Sequence, residues 1–225
     1  MSEVKECINK LISYSFKSFF KKEGYKKSGI DFIKKENDKI KIVNFWADHS
    51  GFTISLGIFF NKINSYLIKR QMSSNPTRAA ACHVQEQDIG GTTDNKRSIW
   101  WNLYFMGDLV DLRVLSKDVF DTFINYGIPW LNGCNDLEQA LKYLLTGKAY
   151  SMFPPYSIPA IYLILGKKTE AIEYLINYNN ECVEHFSRDD MKDYRDDLKF
   201  RGKEFNEFSE KNGLDITFQN IFNQE

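Results

Sequence analysis

The chain has 225 residues, 43% hydrophobic and 27% charged, which is enough to bury a core without metal or disulfide staples. Its 30 basic and 30 acidic side chains cancel, so the total charge points neither to nucleic acid nor to an anionic membrane. Aromatic residues are abundant, with 18 Phe, 12 Tyr and 4 Trp, and should dominate the packing.

Val4, Ile8, Leu11, Ile12, Phe16, Phe19 and Phe20 recur at helical spacing with lysines opposite, and Gly24 stands where a helix ends. The stripe predicts an amphipathic helix that covers a sheet. The lysines interrupt any apolar run, and no later stretch reaches the roughly 18 apolar residues of a spanning helix, so neither a signal peptide nor a membrane segment is expected. Residues 29–35, 39–47 and 52–60 then read as strands joined by short turns at 36–38 and 48–51. In the third of these Phe52, Ile54, Leu56, Ile58 and Phe60 alternate with Thr53, Ser55, Gly57 and Phe59, the pattern of a sheet packed on one side.

Residues 61–81 show no sustained period and read as a loop with a helical turn in it. His83–Asp88 is the fourth strand, 90–95 a flexible link and Ser98–Phe105 the fifth strand. Beyond Gly107 the character becomes helical. Ser116 is read as the cap of a helix bearing Val119, Phe120, Phe123 and Ile124, and Asn135 as the cap of one ending near Gly147. Residues 153–159 form a proline-rich break, followed by a helical hairpin, 158–165 and 168–178, turning at Gly166. The phrase 166–175 resembles one tetratricopeptide unit, but no further repeats accompany it. A last helix, Arg188–Lys211, carries Met191, Tyr194, Leu198, Phe205 and Phe208 on one side. The expected fold is α+β: an N-terminal helix packed on an antiparallel meander of about five strands (1–110), then an all-helical extension (111–225) packed on it.

The reactive residues are sparse. Cys7, Cys82, Cys134 and Cys182 lie far apart without metal-ligand spacing and read as buried free thiols of a reducing cytoplasm, so no metal and no cofactor is expected. Nor does any glycine pattern form a phosphate-binding loop. His83 shares a strand face with Gln85 and Gln87, yet has no carboxylate or nucleophile at diagnostic spacing, so a hydrogen-bonded structural role fits better than catalysis. His49 and His185 read as surface residues. Trp100 and Trp101 are adjacent on a strand, so one indole should enter the core and the other face the reverse side. Trp46, Phe59, Trp100 and Tyr104 could form an aromatic patch there, either a second core or a binding surface. Base stacking on it lacks basic neighbours apart from Lys96 and Arg97.

In order and spacing, Gly24-Tyr25-Lys26-Lys27 with Phe32, Val43-Asn44-Phe45, Phe52–Ile58, Cys82-His83 leading to Ile89-Gly90, and Trp100-Trp101 resemble the bacterial family called domain of unknown function 4304, over about residues 3–125. The resemblance implies a helix on an antiparallel sheet and no established activity. It also suggests an immunity or toxin-antagonist protein that works by binding. A basic residue often follows the family's histidine on the same strand face; here Gln85 and Gln87 stand instead, which puts a polar site built on that pairing in doubt.

Two functional readings follow. The first is a non-catalytic protein-binding module. Residues 1–110 carry 17 basic and 11 acidic side chains and residues 111–225 carry 13 and 19, so an acidic helical half, or the aromatic sheet face, could dock a basic partner. The second is an enzyme or small-molecule binder with a pocket between sheet and helices, rimmed by His83, Arg97 and Trp100.

Overall fold

A computed structural model describes residues 3–71, 76–93, 97–105, 108–151, 154–188, 190–191 and 195–218. The chain divides into two compact units, one made of residues 1–61 and 73–152 and the other of residues 62–72 and 153–225. This division differs from a boundary at residue 110, because the first helices after the sheet belong with the sheet.

In the first unit, helix α1 (Glu3–Lys22) lays Val4, Ile8, Leu11, Ile12, Phe16 and Phe20 on the sheet. Glu3 and Glu6 in its first turn and Lys21 and Lys22 in its last complement the helix dipole. The sheet is antiparallel throughout, in the order β1 (Lys26–Ser28), β2 (Asp31–Lys35), β3 (Lys39–Ala47), β4 (Gly51–Phe60), β5 (Val84–Glu86), with β6 (Trp101–Asn102) also pairing β4. Strands β3 and β4 fall where alternation predicts them. The first expected strand is instead a hairpin, β1–β2, turning at Gly29 with φ +67°, a left-handed conformation that glycine adopts without strain. The expected strand 98–105 is also interrupted. Only Trp101–Asn102 joins β4, while β7 (Tyr104–Phe105) turns back on β8 (Asp108–Leu109) as a separate two-stranded sheet.

The register pairs Phe45 with Ile54 and Val43 with Leu56 on the face under α1, and Ile42 with Gly57 and Ile40 with Phe59 on the other. Both faces are buried, contrary to a sheet packed on one side. On the second face Ile40, Ile42, Phe59 and Cys82 form a core with Ile33 packed against it. The 3-10 turn Ala79–Ala81 closes over this core: a Cβ on Gly57 would lie 2.7 Å from both Ala79 Cα and Cys82 Sγ. The four cysteines are all buried, and none forms a disulfide.

Helix α2 (Leu112–Thr122) is capped by Asp111, whose carboxylate accepts the Arg113 and Val114 amides, and not by Ser116. Ser116 is buried one turn further in and donates to the Leu11 carbonyl of α1 at 2.8 Å. A π-helical turn (Phe123–Gly127) leads into α3 (Ile128–Gly133), and Asp136 caps α4 (Leu137–Leu145). Asn135, expected as that cap, instead receives lysines from β3. Lys39 Nζ donates to its carbonyl and, at 2.9 Å, to its Oδ1, and Lys41 Nζ donates to Oδ1 at 3.3 Å. The same two buried ammonium groups flank Glu36 at 3.4 and 3.8 Å. Burial raises the Glu36 pKa, but Lys41, Lys39 and Lys34 outweigh it and hold the carboxyl below the usual range.

The second unit contains α5 (Pro154–Ile164), α6 (Lys168–Ser187) and α7 (Arg195–Lys211). The prolines at 154 and 155 occupy the first turn of α5, where a missing N–H costs nothing, so the helix starts within the expected break. Gly166, with φ +74°, turns α5 into α6. The last helix, expected from Arg188, begins only at Arg195, because Arg188 is extended backbone that ends α6; Tyr194 lies outside the described residues, as do 73–75, 94–96 and 153. Residues 62–71 belong to this unit through side chains of α7 and the turn after it. Glu204 and Glu207 bind Arg70 at 2.6 and 3.3 Å, Asn212 donates to the Tyr66 carbonyl at 3.0 Å, and Lys211 donates to that of Leu67. The long irregular segment thus serves the helical unit at its start and the sheet at its end.

Replacing Gly57 with Ala forces a methyl against the Ala79 backbone, and overpacking of this kind costs roughly 1–3 kcal/mol. Urea denaturation should show a lower midpoint with an unchanged slope.

Candidate functional site

The aromatic residues separate along β4. At its Gly51 end, Trp46 of β3 is 61% exposed and meets Trp100 edge to face with ring centroids 5.5 Å apart. Trp101 turns inward, stacks on Phe52 at 5.6 Å and donates its indole N–H to Asp118 at 2.9 Å. At the other end Phe59 is buried and stacks on His83 at 4.4 Å. The eight residue-to-residue steps from Gly51 to Phe59 span about 26 Å of extended chain. His83 and Trp100 therefore do not share a rim.

His83 is 3% exposed, and its Nδ1 accepts the Phe60 amide at 3.2 Å. Burial lowers its pKa to about 3, so the ring is neutral across the physiological range. Gln85 is buried beside it on the sheet, with its backbone bonded both ways to Tyr150. Arg97 is exposed on the loop before β6, with its carbonyl against Gly90. Tyr104 is half-buried in the β7–β8 hairpin, and its hydroxyl pKa is raised by desolvation and by Glu3 of α1. Of the six residues singled out in the sequence as a binding set, Trp46 and Trp100 come together, while His83 and Gln85 lie at the far end of the sheet.

Two residues that sequence reasoning passed over build the surroundings of Trp46. Asp88 accepts from the Gly90 amide at 2.8 Å, the Thr53 hydroxyl at 3.1 Å, the Ile99 amide at 3.1 Å and the Ser98 hydroxyl. It thereby pins the chain immediately ahead of Trp100. Its signal was the Asp-Ile-Gly-Gly phrase, an aspartate that caps a turn. Asn44, a lone amide on an apolar strand, is buried; its Oδ1 accepts the Ala79 amide and its Nδ2 donates to the Thr77 carbonyl at 3.4 Å. This holds Arg78, between those two residues, over the sheet.

The result is a cleft of about 680 Å³ lined by Lys5 and Asn9 of α1, Asp31 of β2, Asn44 and Trp46 of β3, and Arg78. Asp31 Oδ1 accepts the Phe45 amide at 3.1 Å. Desolvation raises its pKa, and hydrogen bonds from Asn44 and Phe45 together with the charges of Arg78 and Lys5 offset part of the rise. Among the described residues no group of three or more His, Cys, Asp or Glu could hold a metal ion, and no helix is long and apolar enough to cross a membrane.

Residues 16–133 match the family model described as domain of unknown function (DUF4304). The chain belongs to this family. The match covers more than half of the chain, from the last two turns of α1 through the sheet to α3. No curated protein and no solved structure matches the chain. For this DUF4304 protein the family carries a fold and no activity, and the cleft beside Trp46 lies within the matched region except for Lys5 and Asn9.

Folded His83 takes a proton only near pH 3, whereas an imidazole in the unfolded chain does so near 6.5, so the unfolded state binds protons first as pH falls. The His83 contribution is whole above pH 6.5 and declines by up to about 1.4 kcal/mol per pH unit on the way down to about 3. His83→Gln should lose that component in pH-dependent urea titrations compared with the parent chain. Asp88→Ala should cost on the order of 1–3 kcal/mol and redshift the tryptophan emission, because Trp100 loses the loop that seats it.

Proposed function

We propose that this protein is a non-catalytic binding module whose contact surface is the Trp46–Trp100 corner and the cleft beside it. The observation that carries this reading is a large indole, 61% exposed, held at a cleft that also bears charged side chains by a neighbouring tryptophan and a pinned loop. Tryptophan at the rim of a concave site is a characteristic anchor for a protein partner. His83 and the cysteine thiols lie away from it, and the one carboxyl in the cleft, Asp31, is engaged by the Phe45 amide. His83 is buried and neutral, and burial pushes the Cys82 and Cys134 thiols up, Cys134 to about 12. Antagonism of a toxin, which the family resemblance suggests, is one form such binding takes.

Counted by compact unit, the charge asymmetry between the halves of the chain shrinks. The sheet unit carries 18 basic and 16 acidic side chains and the helical unit 12 and 14. Docking through a uniformly acidic half is thus less supported than docking at the aromatic corner.

Photocrosslinking tests the reading. With p-benzoylphenylalanine at position 46, cells of the source organism should yield a discrete crosslinked protein that the same probe at exposed Val114 does not yield. Equal labelling from both positions, or none from position 46, would remove the corner as a binding surface.

A further inference from the structure

We propose that the cleft takes an extended acidic peptide segment of a partner protein, which adds as a strand to the open edge Asn44–Ala47 and sets a carboxylate between Arg78 and Lys5. The proposal rests on the binding role given above and names the partner's chemistry.

The edge follows from the register. Pairing of β2 with β3 stops at Phe32 opposite Val43, whereas β3 pairs with β4 as far as Ala47 opposite Phe52. Among the described residues, 44–47 therefore have a strand on one side only. The amide of Asp48 donates to Gly51 and the amide of Asn61 to Asp38, so even-numbered positions of β3 bond toward β4. Phe45 N–H points the other way, into the Asp31 carboxylate. By the alternation of a strand, the Phe45 carbonyl and both peptide groups of Ala47 also face the cleft. Such an edge is a template for a further strand, and peptide recognition commonly uses one.

The charge of the cleft selects the segment. Arg78 and Lys5 act on Asp31 through space, and Lys27 adjoins them through its 2.6 Å bond to Asn9. Two cations thus act on one carboxylate, and that carboxylate is already engaged by the Phe45 amide and Asn44. An acidic side chain entering here gains charge-assisted bonds, with the guanidinium offering a forked donor. The exposed Trp46 ring lies on the same cleft for an apolar neighbour two residues along the peptide.

The test uses the full chain, immobilised, to select from a random linear peptide display library. Enriched peptides should carry an acidic residue with a β-branched or aromatic residue two positions away, and their synthetic versions should lose about tenfold or more in affinity to Arg78→Ala and to Trp46→Ala. Ala47→Pro deletes one edge N–H without touching the β4 ladder and should weaken binding similarly. N-methylation of alternate peptide amides should do the same with the protein unaltered, which keeps the test independent of how the proline variant folds. Enrichment of basic peptides, no enrichment, or binding indifferent to N-methylation would overturn the proposal. So would glutarate competing as well as the peptide, which marks a small-acid site, or a concentration-dependent dimer abolished by Ala47→Pro, which gives the edge to a second copy. A crosslink at position 46 that survives Arg78→Ala and Ala47→Pro would leave the binding role standing and remove strand addition.

Discussion

The seam between α1 and the β3–β4 ladder carries the sheet unit. Phe16 stands at its centre, edge-on to Phe45 of the sheet at 5.4 Å and to Phe120 of α2 at 5.1 Å, while Phe20 stacks on Phe32 of β2 at 3.9 Å. One turn of α1 thereby ties a strand pair, a hairpin and the following helix into a single aromatic cluster. Rings of this size bury more apolar area per residue than any aliphatic side chain, and their edge-to-face contacts restrict how the helix can rotate on the sheet. The buried Ser116 hydroxyl, bonded to the Leu11 carbonyl and to Ser15, sets the position of α2 along α1.

The second face of the sheet obeys a different constraint. No helix needs to lie there, because Gly57 opens a shallow trough into which the Ala79–Ala81 turn settles against backbone. The amide of Asn44 accepts the Ala79 N–H and donates to the Thr77 carbonyl, so two peptide groups of the covering loop are paired where it crosses the apolar strand. Arg78 is carried on the outer side of this closure. The cover that completes the core therefore also places a cation at the cleft.

At the opposite end of β3, Lys39 and Lys41 are buried, sharing Glu36 and Asn135. Buried charge of this kind contributes little net stability but is costly to leave unpaired, so it favours one arrangement of the β2–β3 turn against the start of α4. Charge is thus internal at one end of the strand and presented to solvent at the other. The exposed Trp46 indole and the cations of the cleft sit together at that second end.

The helix α1, the strands β3 and β4 and the burial of all four thiols were legible in the residues, since a stripe at 3.6 and an alternation at 2 report a face whatever covers it. The separation of Trp100 outward from Trp101 inward followed from the same alternation. What covers each face was not legible. Whether Phe59 and Thr53 meet solvent depends on a turn some twenty residues away in sequence, and local periodicity carries no record of it. The caps show the same limit: Ser116 and Asn135 have cap chemistry, but they bind α1 and the lysines of β3 because those groups arrive from elsewhere in the chain. The candidate site was half visible, in Trp46 and Trp100. Arg78, Asp31, Asn44 and Lys5 come from four separate segments, and only tertiary packing decides which polar residues of an ordinary composition converge on one cleft.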